Sequence, residues 1–194
     1  MVTEKRLSKI EKVVSQRQKD LVLVLEDIHD PHNAEAVFRT CDGLGIQTVY
    51  LIFDQEKEFA PRRIGQSSSS SAHKWLDFIT YNSTEECLNH LKKNDYRIIA
   101  TVLSEKAENL FNYKFPEKVA LVLGNEHRGL SAKAIEMADK HLILPMSGMV
   151  QSLNLSVTGA IFLYEIVRQR KNRNFKSFMP PGERKLLIEN FLQR

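Results

Sequence analysis

Three short stretches of the chain combine polar side chains and glycines in spacings that could support chemistry. In the first, HDPHNAEAVFR, Asn33 lies where a helix is predicted to begin, and Arg39 follows six residues later. A guanidinium can bind a phosphate or stabilise a developing oxyanion, and the free N–H groups of a helix start can hold an anion. Because an arginine on a helix is more often solvated or salt-bridged, this stretch alone does not define a reaction.

The second stretch, LGNEHRGL, runs from an apolar segment into a polar loop enclosed by Gly124 and Gly129. Glycines permit tight turns and a close approach of the backbone to a ligand. Glu126, between them, could accept hydrogen bonds either from loop amides or from a ligand. The chain has neither a Gly-Lys-Ser/Thr phosphate loop nor a G-x-G-x-x-G sequence, which disfavours an ATPase and an ordinary dinucleotide-dependent enzyme.

The third stretch, LILPMSGMVQSLNLSV, is an apolar segment that ends at a proline and is followed by a short Gly-Met loop and a predicted helix. Ser152, Asn154 and Ser156 lie around the start of that helix. A helix N-cap explains one polar residue at such a start and leaves the others available for a ligand.

Apolar segments alternate with helical patterns along most of the chain, which is typical of an α/β fold. The apolar segments have no polar side, so they predict a mostly parallel sheet with helices on both faces. The predicted elements are strands at residues 20–28, 48–53, 75–81, 97–103, 119–124 and 141–146, helices at 31–44, 84–94, 131–138 and 152–171, and a loop at 104–117. Ligands bind beyond the carboxyl ends of such strands, where all three polar stretches lie.

Basic residues are concentrated at the two ends of the chain. The net charge is +4 overall, whereas residues 1–20 carry +3 and residues 165–194 carry +5, so the middle is acidic. These ends could be solvated helices or arms that hold a phosphate backbone. The apolar runs are too short to span a bilayer, no secretory signal is present, and the two cysteines have neither disulfide nor metal-ligand spacing. We therefore expect a cytoplasmic protein with no membrane segment and no metal.

Together, the three stretches resemble the three motifs of the TrmH (SpoU-type) branch of the SPOUT superfamily of RNA methyltransferases. The resemblance extends over about residues 18–172, and the third stretch matches its motif nearly throughout. The matching residues are Asn33 and Arg39 in the first motif, Gly124, Glu126 and Gly129 in the second, and Ser152 and Asn154 in the third.

The resemblance implies a methyltransferase domain at residues 20–172 with a deep trefoil knot near its C-terminal part. A basic helical extension at 1–19 and a second helical extension at 173–194 flank this domain. The methyl donor, S-adenosylmethionine, is expected to bind in a bent shape inside the knot, held mostly by backbone groups. The residues carried over to the donor site are Thr101, Gly124, Leu144, Met149 and Leu153.

The implied reaction is the attack of a ribose 2′-oxygen on the methyl group of the donor, with Arg39 activating the hydroxyl. A guanidinium is essentially never deprotonated in proteins. Arg39 could instead bind the substrate phosphate and stabilise the emerging alkoxide, while phosphate or water takes the proton. By the same resemblance Asn33, Ser152 and Asn154 orient Arg39 and the ribose, and Glu126 shapes the donor loop.

The helical N-terminus and the sequence RQRKNR resemble the tRNA-guanosine members of this branch. This predicts tRNA as the substrate, a D-loop guanosine as the target, and His32, Arg168 and Arg170 as RNA contacts. It also predicts a homodimer in which one subunit's arginine completes the other's site. Two alternatives stay open: a ribosomal RNA 2′-O-methyltransferase, and a non-catalytic RNA-binding protein that kept the fold. The serine run at 67–71 departs from the family pattern, so it predicts no role for that loop.

Overall fold

The computed structural model describes residues 3–63, 71–173 and 179–194. Within these ranges the core is a seven-stranded sheet in which all neighbouring strands are parallel. In chain order the strands are β1 (Leu21–Glu26), β2 (Thr48–Ile52), β3 (Asp77–Tyr81), β4 (Arg97–Thr101), β5 (Glu108–Asn109), β6 (Val119–Leu123) and β7 (Lys140–Ile143). They lie side by side in the order β3-β2-β1-β6-β4-β7-β5. The predicted α/β class with a largely parallel sheet is confirmed.

Helices cover both faces of the sheet. The α-helices in the described ranges are α1 (Glu4–Ser15), α2 (Pro31–Leu44), α3 (Thr84–Lys93), α4 (Ala132–Met137), α5 (Leu155–Asn172) and α6 (Pro181–Gln193). α2 and α5 cover one face through side chains such as Phe38 and Phe162, and α3 and α4 cover the other through Leu88 and Ala134. Burial on both faces explains why β1 and β6 are apolar along nearly their whole length.

Local sequence sets the bounds of α2, which carries the first polar stretch. The side chain of Asp30 accepts a hydrogen bond from the N–H of His32, and Pro31 occupies the first turn, where its missing N–H costs no hydrogen bond. The helix ends at Gly45, whose φ of 81° is a left-handed conformation that glycine adopts without strain.

The predicted elements differ most from the structure at three places. The segment 104–117, predicted as a loop, contains β5 and a short 3-10 helix at Leu110–Asn112, so the sheet has one strand more than predicted. β7 ends at Ile143 because Pro145, just beyond it, has no N–H for the strand ladder. α5 begins at Leu155, later than predicted, because the side chain of Asn154 accepts from the N–H of Ser156 and caps the helix.

Some predictions are not tested by these elements. The trefoil knot and the division into a central domain with two extensions stay predictions. Residues 67–70 of the serine run lie outside the described ranges. Among the helices of the described ranges, none has the length and apolar character that a bilayer crossing requires.

The two terminal helices pack against each other. Ile10 and Val14 of α1 contact Leu187 and Phe191 of α6 in a small apolar cluster. This packing places the N-terminal and C-terminal basic segments side by side on one region of the molecule.

Arg170, near the end of α5, ties this region to the sheet. Its side chain is 1% exposed and donates hydrogen bonds to the backbone carbonyls of Lys19, Asp20 and Glu117. A buried guanidinium that satisfies the chain's own carbonyl groups cannot reach a phosphate. The prediction that Arg170 contacts RNA is therefore wrong.

Candidate active site

The three polar stretches converge at the carboxyl ends of β1 and β6, which are neighbours in the middle of the sheet. The loop after β1 leads toward β2 on one side of the sheet, and the loops after β6 and β4 lie on the other side. A crevice therefore opens between the loop after β1 and the loop after β6. A cavity of about 820 Å³ lies there. Its walls are the loops that follow β4, β6 and β7, together with the start of α5.

Glu126 holds the loop after β6 against the start of α2. Its carboxylate accepts hydrogen bonds from the backbone N–H groups of His29 (2.9 Å) and Asp30 (3.3 Å) and from the side-chain amide of Asn33 (2.9 Å). The partial positive charge at the helix start further stabilises the carboxylate. The charge of Glu126 is thus compensated within the chain, and its contacts fix two loops relative to each other.

Asn33 and Asn154 extend this contact to the third stretch. Oδ1 of Asn33 accepts a hydrogen bond from Nδ2 of Asn154 over 3.1 Å. Oδ1 of Asn154 in turn accepts from the backbone N–H and the hydroxyl of Ser156, at 2.8 and 2.7 Å. Both asparagines line the cavity, and each amide nitrogen carries a second hydrogen that can bind a ribose or phosphate oxygen.

Most of the residues predicted to hold the donor surround the cavity. Thr101, Gly124, Leu144 and Leu153 all line it. Met149 does not, because residues 147–150 extend into solvent and leave the Met149 side chain fully exposed. The structure therefore brings together every predicted donor residue except Met149.

Gly124 allows two backbone segments to touch at the wall of the cavity. A Cβ atom at this position would lie 2.5 Å from the carbonyl carbon of Gly129. Paired backbone hydrogen bonds between Asn125 and Gly129, at 3.0 and 2.9 Å, close the loop. Main-chain atoms thus form this part of the wall, which suits a ligand held by backbone groups.

Comparison with known proteins agrees with this geometry. Residues 20–164 match the model of the SpoU rRNA Methylase family. A tRNA (guanosine(18)-2′-O)-methyltransferase of Aquifex aeolicus is 35% identical over 91% of this chain and 82% of its own length. The Escherichia coli (strain K12) protein of the same name is 32% identical over 94% of this chain and 80% of its length. The chain belongs to the SpoU methylase family.

The crystal structure of the A. aeolicus TrmH/SpoU tRNA modifying enzyme has the same fold as this SpoU family member. The two superpose with a TM-score of 0.87 at 31% identity, covering 98% of this chain and 96% of that chain. The similarity includes the terminal helices, because it extends over nearly the full length of both proteins.

Two SpoU motif residues have no hydrogen-bond or ion-pair partner in the described part of the chain. Ser152 lines the cavity with an exposed side chain, so it is available to a ligand. Arg39 is exposed on α2 and does not line the cavity. The structure brings Asn33, Glu126 and Asn154 together with Ser152 around one cavity and leaves Arg39 outside it.

The two other predicted RNA contacts lie on the surface. His32 is exposed, and its Nδ1 lies 3.7 Å from a carboxylate oxygen of Glu35. Arg168 forms two hydrogen bonds of 2.7 Å with Glu165 and is half exposed. Both side chains are accessible to RNA, and their role stays a prediction.

Asn125 organises the second SpoU motif, although its residue type did not single it out in the sequence. Its Nδ2 donates to the backbone carbonyl of Asp27 over 2.7 Å. Its Oδ1 accepts from the N–H groups of His127 (2.9 Å) and Arg128 (3.1 Å). An asparagine at the start of a tight turn commonly accepts hydrogen bonds in this way, so its position between two glycines was the available signal.

Proposed function

We propose that the protein transfers a methyl group from S-adenosylmethionine to the ribose 2′-hydroxyl of a D-loop guanosine in tRNA. The observation that carries the proposal is the hydrogen-bond chain from Glu126 through Asn33 to Asn154 at the edge of the cavity. Family membership supports the reaction. The names of the A. aeolicus and E. coli relatives, tRNA (guanosine(18)-2′-O)-methyltransferase, support the substrate.

The cavity fits the donor. Pockets for small molecules have volumes of about 300–1,000 Å³, and this one measures about 820 Å³. Leu144 and Leu153 provide apolar walls for an adenine ring, and the backbone around Gly124 provides hydrogen-bonding groups for its edge. When bound, S-adenosylmethionine supplies a methyl group together with its own leaving group. The protein therefore has to position the ribose and assist the loss of its proton.

Asn33, Ser152 and Asn154 are placed to orient the ribose. The asparagine amides are fixed by their mutual hydrogen bond, and the Ser152 side chain is free to meet a substrate oxygen. Arg39 binds the adjacent phosphate and stabilises the emerging alkoxide, while phosphate or water takes the proton. Glu126 holds Asn33 at a fixed position relative to the donor loop, the loop after β6.

The position of Arg39 outside the cavity supports a homodimer in which it serves the second subunit. α2 and α5 form an open apolar groove of about 530 Å³ beside Arg39. In this groove Val157 and Tyr164 are 46% and 64% exposed. A second copy of the chain would cover these apolar side chains and bring its Arg39 to the cavity.

Subunit mixing tests this arrangement. Asn33→Ala and Arg39→Ala are each expected to be inactive alone. A heterodimer of the two would contain one site with both native residues only if Arg39 acts across the interface, so mixing should restore activity. Persistent inactivity of isolated heterodimers would show that Arg39 acts within its own subunit.

The basic terminal region supports binding of a polyanion in the cytoplasm, where tRNA is found. Lys5, Lys9 and Lys12 are exposed along one side of α1. Contacts of this kind release counterions, so tRNA affinity should fall steeply as salt concentration rises. A flat salt dependence would contradict a role for the basic ends.

The direct test is methyl transfer from labelled S-adenosylmethionine to bulk tRNA, followed by nucleoside analysis. The expected product is 2′-O-methylguanosine. Transfer to ribosomal RNA and not to tRNA would keep the reaction and overturn the substrate. Donor binding without transfer to either RNA would support the alternative of a non-catalytic RNA-binding protein.

A further inference from the structure

Glu56, in the loop after β2, connects the two loops that carry the first and second motifs. Its Oε1 lies 2.8 Å from a guanidinium nitrogen of Arg128, and its Oε2 lies 3.2 Å from Nδ1 of His29. Nδ2 of Asn125 donates to the same carboxylate over 3.4 Å. The hydrogen bond from His29 and the positive charge of Arg128 lower the pKa of the Glu56 carboxyl, so it stays ionised.

The loop that carries Glu56 is itself held firmly. Oδ1 of Asp27 accepts hydrogen bonds from the backbone N–H groups of Asp54, Gln55 and Glu56, at 2.8, 2.9 and 3.1 Å. Asp27 is buried and has a φ of 51°, a left-handed conformation that aspartate adopts more readily than most residues other than glycine. Its buried carboxylate therefore fixes the backbone of the loop that carries Glu56.

Glu56 contacts two of three exposed groups at the edge of the site, Arg128 and His29, and the His29 ring contacts the third, His127. The rings of His29 and His127 meet edge to face, with centroids 5.4 Å apart. The side chains of His29 and Arg128 are 58% and 51% exposed. We call His29, His127 and Arg128 the rim cluster.

The rim cluster lies where the cavity meets the start of α2. His127 and Arg128 line the cavity, whereas His29 and Glu56 do not. The ion pair with Glu56 holds the Arg128 guanidinium beside the loop after β2, where His29 binds the same carboxylate. The backbone of His29 is bonded to Glu126, one hydrogen bond away from Asn33.

We infer that the rim cluster binds the target guanine base, with Glu56 as the residue that positions Arg128. This inference rests on the proposed function. A base whose ribose enters such a crevice has to leave its stack, and aromatic rings then replace its neighbours. The imidazoles of His29 and His127 provide such rings. The Arg128 guanidinium donates to O6 and N7 of guanine, the acceptor pair that arginine recognises most often.

Arg128→Gln and Glu56→Gln test the assignment in the full-length protein. Arg97→Gln is the matched control, because Arg97 is also half exposed and ion-paired, with Asp139, but lies at the start of β4, the opposite end of the sheet from the site. We expect Arg128→Gln to lower kcat/KM for tRNA about tenfold or more. Affinity for S-adenosylhomocysteine should stay within about twofold in all three variants, because the inference gives Arg128 no donor contact.

The double variant separates positioning from a general effect on the fold. If Glu56 acts through Arg128, the double variant Glu56→Gln/Arg128→Gln should be no worse than Arg128→Gln alone, within about twofold. Multiplied effects of the two changes would overturn the inference that Glu56 acts through Arg128. Thermal unfolding of each variant identifies any loss that comes from instability.

Modified tRNAs identify the atoms that are read. Inosine at the target position keeps O6 and N7, so the wild type should methylate it nearly as well as guanosine. 2-Aminopurine riboside lacks O6 and should reduce kcat/KM about tenfold. In Arg128→Gln this difference between guanosine and 2-aminopurine should disappear.

Three results would overturn the inference. One is a tenfold loss of donor affinity in Arg128→Gln, which would assign the guanidinium to the carboxylate of the donor. The second is wild-type kcat/KM for tRNA in that variant. The third is an Arg128→Gln variant that still disfavours 2-aminopurine. Failure of the wild type to methylate any tRNA would instead contradict the proposed function itself, so the two failures are distinguishable.

Discussion

Asn154 donates a hydrogen bond to Asn33 across 3.1 Å, although the two residues are 121 positions apart in the sequence. The same Asn154 side chain caps α5 through its oxygen atom. The side-chain oxygen of Asn154 thus caps the start of α5, while its side-chain nitrogen joins the third motif to the first.

The dual role of Asn154 can be separated by substitution. Asn154→Asp keeps the capping oxygen and replaces the donor by an acceptor, so the bond to Asn33 is lost while the helix start is retained. We expect a thermal midpoint close to that of the wild type and a loss of about hundredfold in single-turnover rate, because the ribose is misplaced.

Asn154→Ala is the companion variant. It loses both functions, so it should have the same defect in rate and also be about 1 kcal/mol less stable. Wild-type turnover in Asn154→Asp would show that the hydrogen bond between the motifs has no part in the reaction.

Gly124→Ala should damage the donor site. Its Cβ would lie 2.5 Å from the backbone of Gly129, so the loop has to shift. We expect a loss of about 1–3 kcal/mol in the free energy of unfolding and weaker binding of S-adenosylhomocysteine by calorimetry. Gly43→Ala is the control: nothing lies within 4 Å of its Cβ, and the helical position should gain about 0.5–1 kcal/mol.

Arg168 and Arg170 should behave differently although they are two residues apart. Arg170→Met removes the guanidinium from the carbonyls of Lys19 and Glu117, and the Asp20 carbonyl keeps only its bond from the N–H of Val119, so we expect a loss of about 3 kcal/mol or more in urea unfolding. Arg168→Gln removes an exposed ion pair and should cost less than about 1 kcal/mol. In tRNA binding at low salt, only Arg168→Gln should weaken the affinity of the folded protein. An unchanged unfolding curve for Arg170→Met would contradict its structural role.

The two cysteines should be unreactive in the folded protein. Burial raises the pKa of the Cys87 thiol to about 12 and that of Cys41 further, from an ordinary value of 9.0. The thiol pKa values are higher in the folded protein than in the unfolded chain. The contribution of the neutral thiols to the stability of the folded protein is therefore fully present below pH 9 and is lost as the pH rises above 9. Reaction with an aromatic disulfide at pH 8 should therefore require urea. A variant with both cysteines changed to alanine should lose this part of the alkaline destabilisation.

The sequence predicted the α/β class and the convergence of the motifs because both depend on strong local signals. Long apolar segments reveal buried strands, and parallel strands bring their carboxyl ends to one edge. β5 escaped prediction because two residues are too short for any periodic pattern. The start of α5 was ambiguous because Ser152 and Asn154 are both good caps, and only the tertiary bond to Asn33 distinguishes them.

The error at Arg170 has a different cause. It lies in a basic run, which by itself indicates solvent exposure. Yet it follows Leu163 and Val167 at helical spacing, and both are buried. The apolar stripe of α5 therefore continues into Arg170, and the carbonyls that receive the guanidinium lie on distant segments that no local pattern reveals. The role of Glu56 could not be predicted for the same reason, because its partners lie in loops that follow other strands.

The position of β6 has a consequence for how the chain folds. β6 pairs with β1 and β4, both of which precede it in the sequence. β1 and β4 do not pair with each other, so a gap separates them in the sheet until β6 pairs with both. The second motif begins at Gly124, the next residue, so the donor cavity is completed only when this gap closes. In a refolding experiment, recovery of donor binding should therefore require β6 to pair with both neighbours, and we expect it to lag behind the recovery of helix signal.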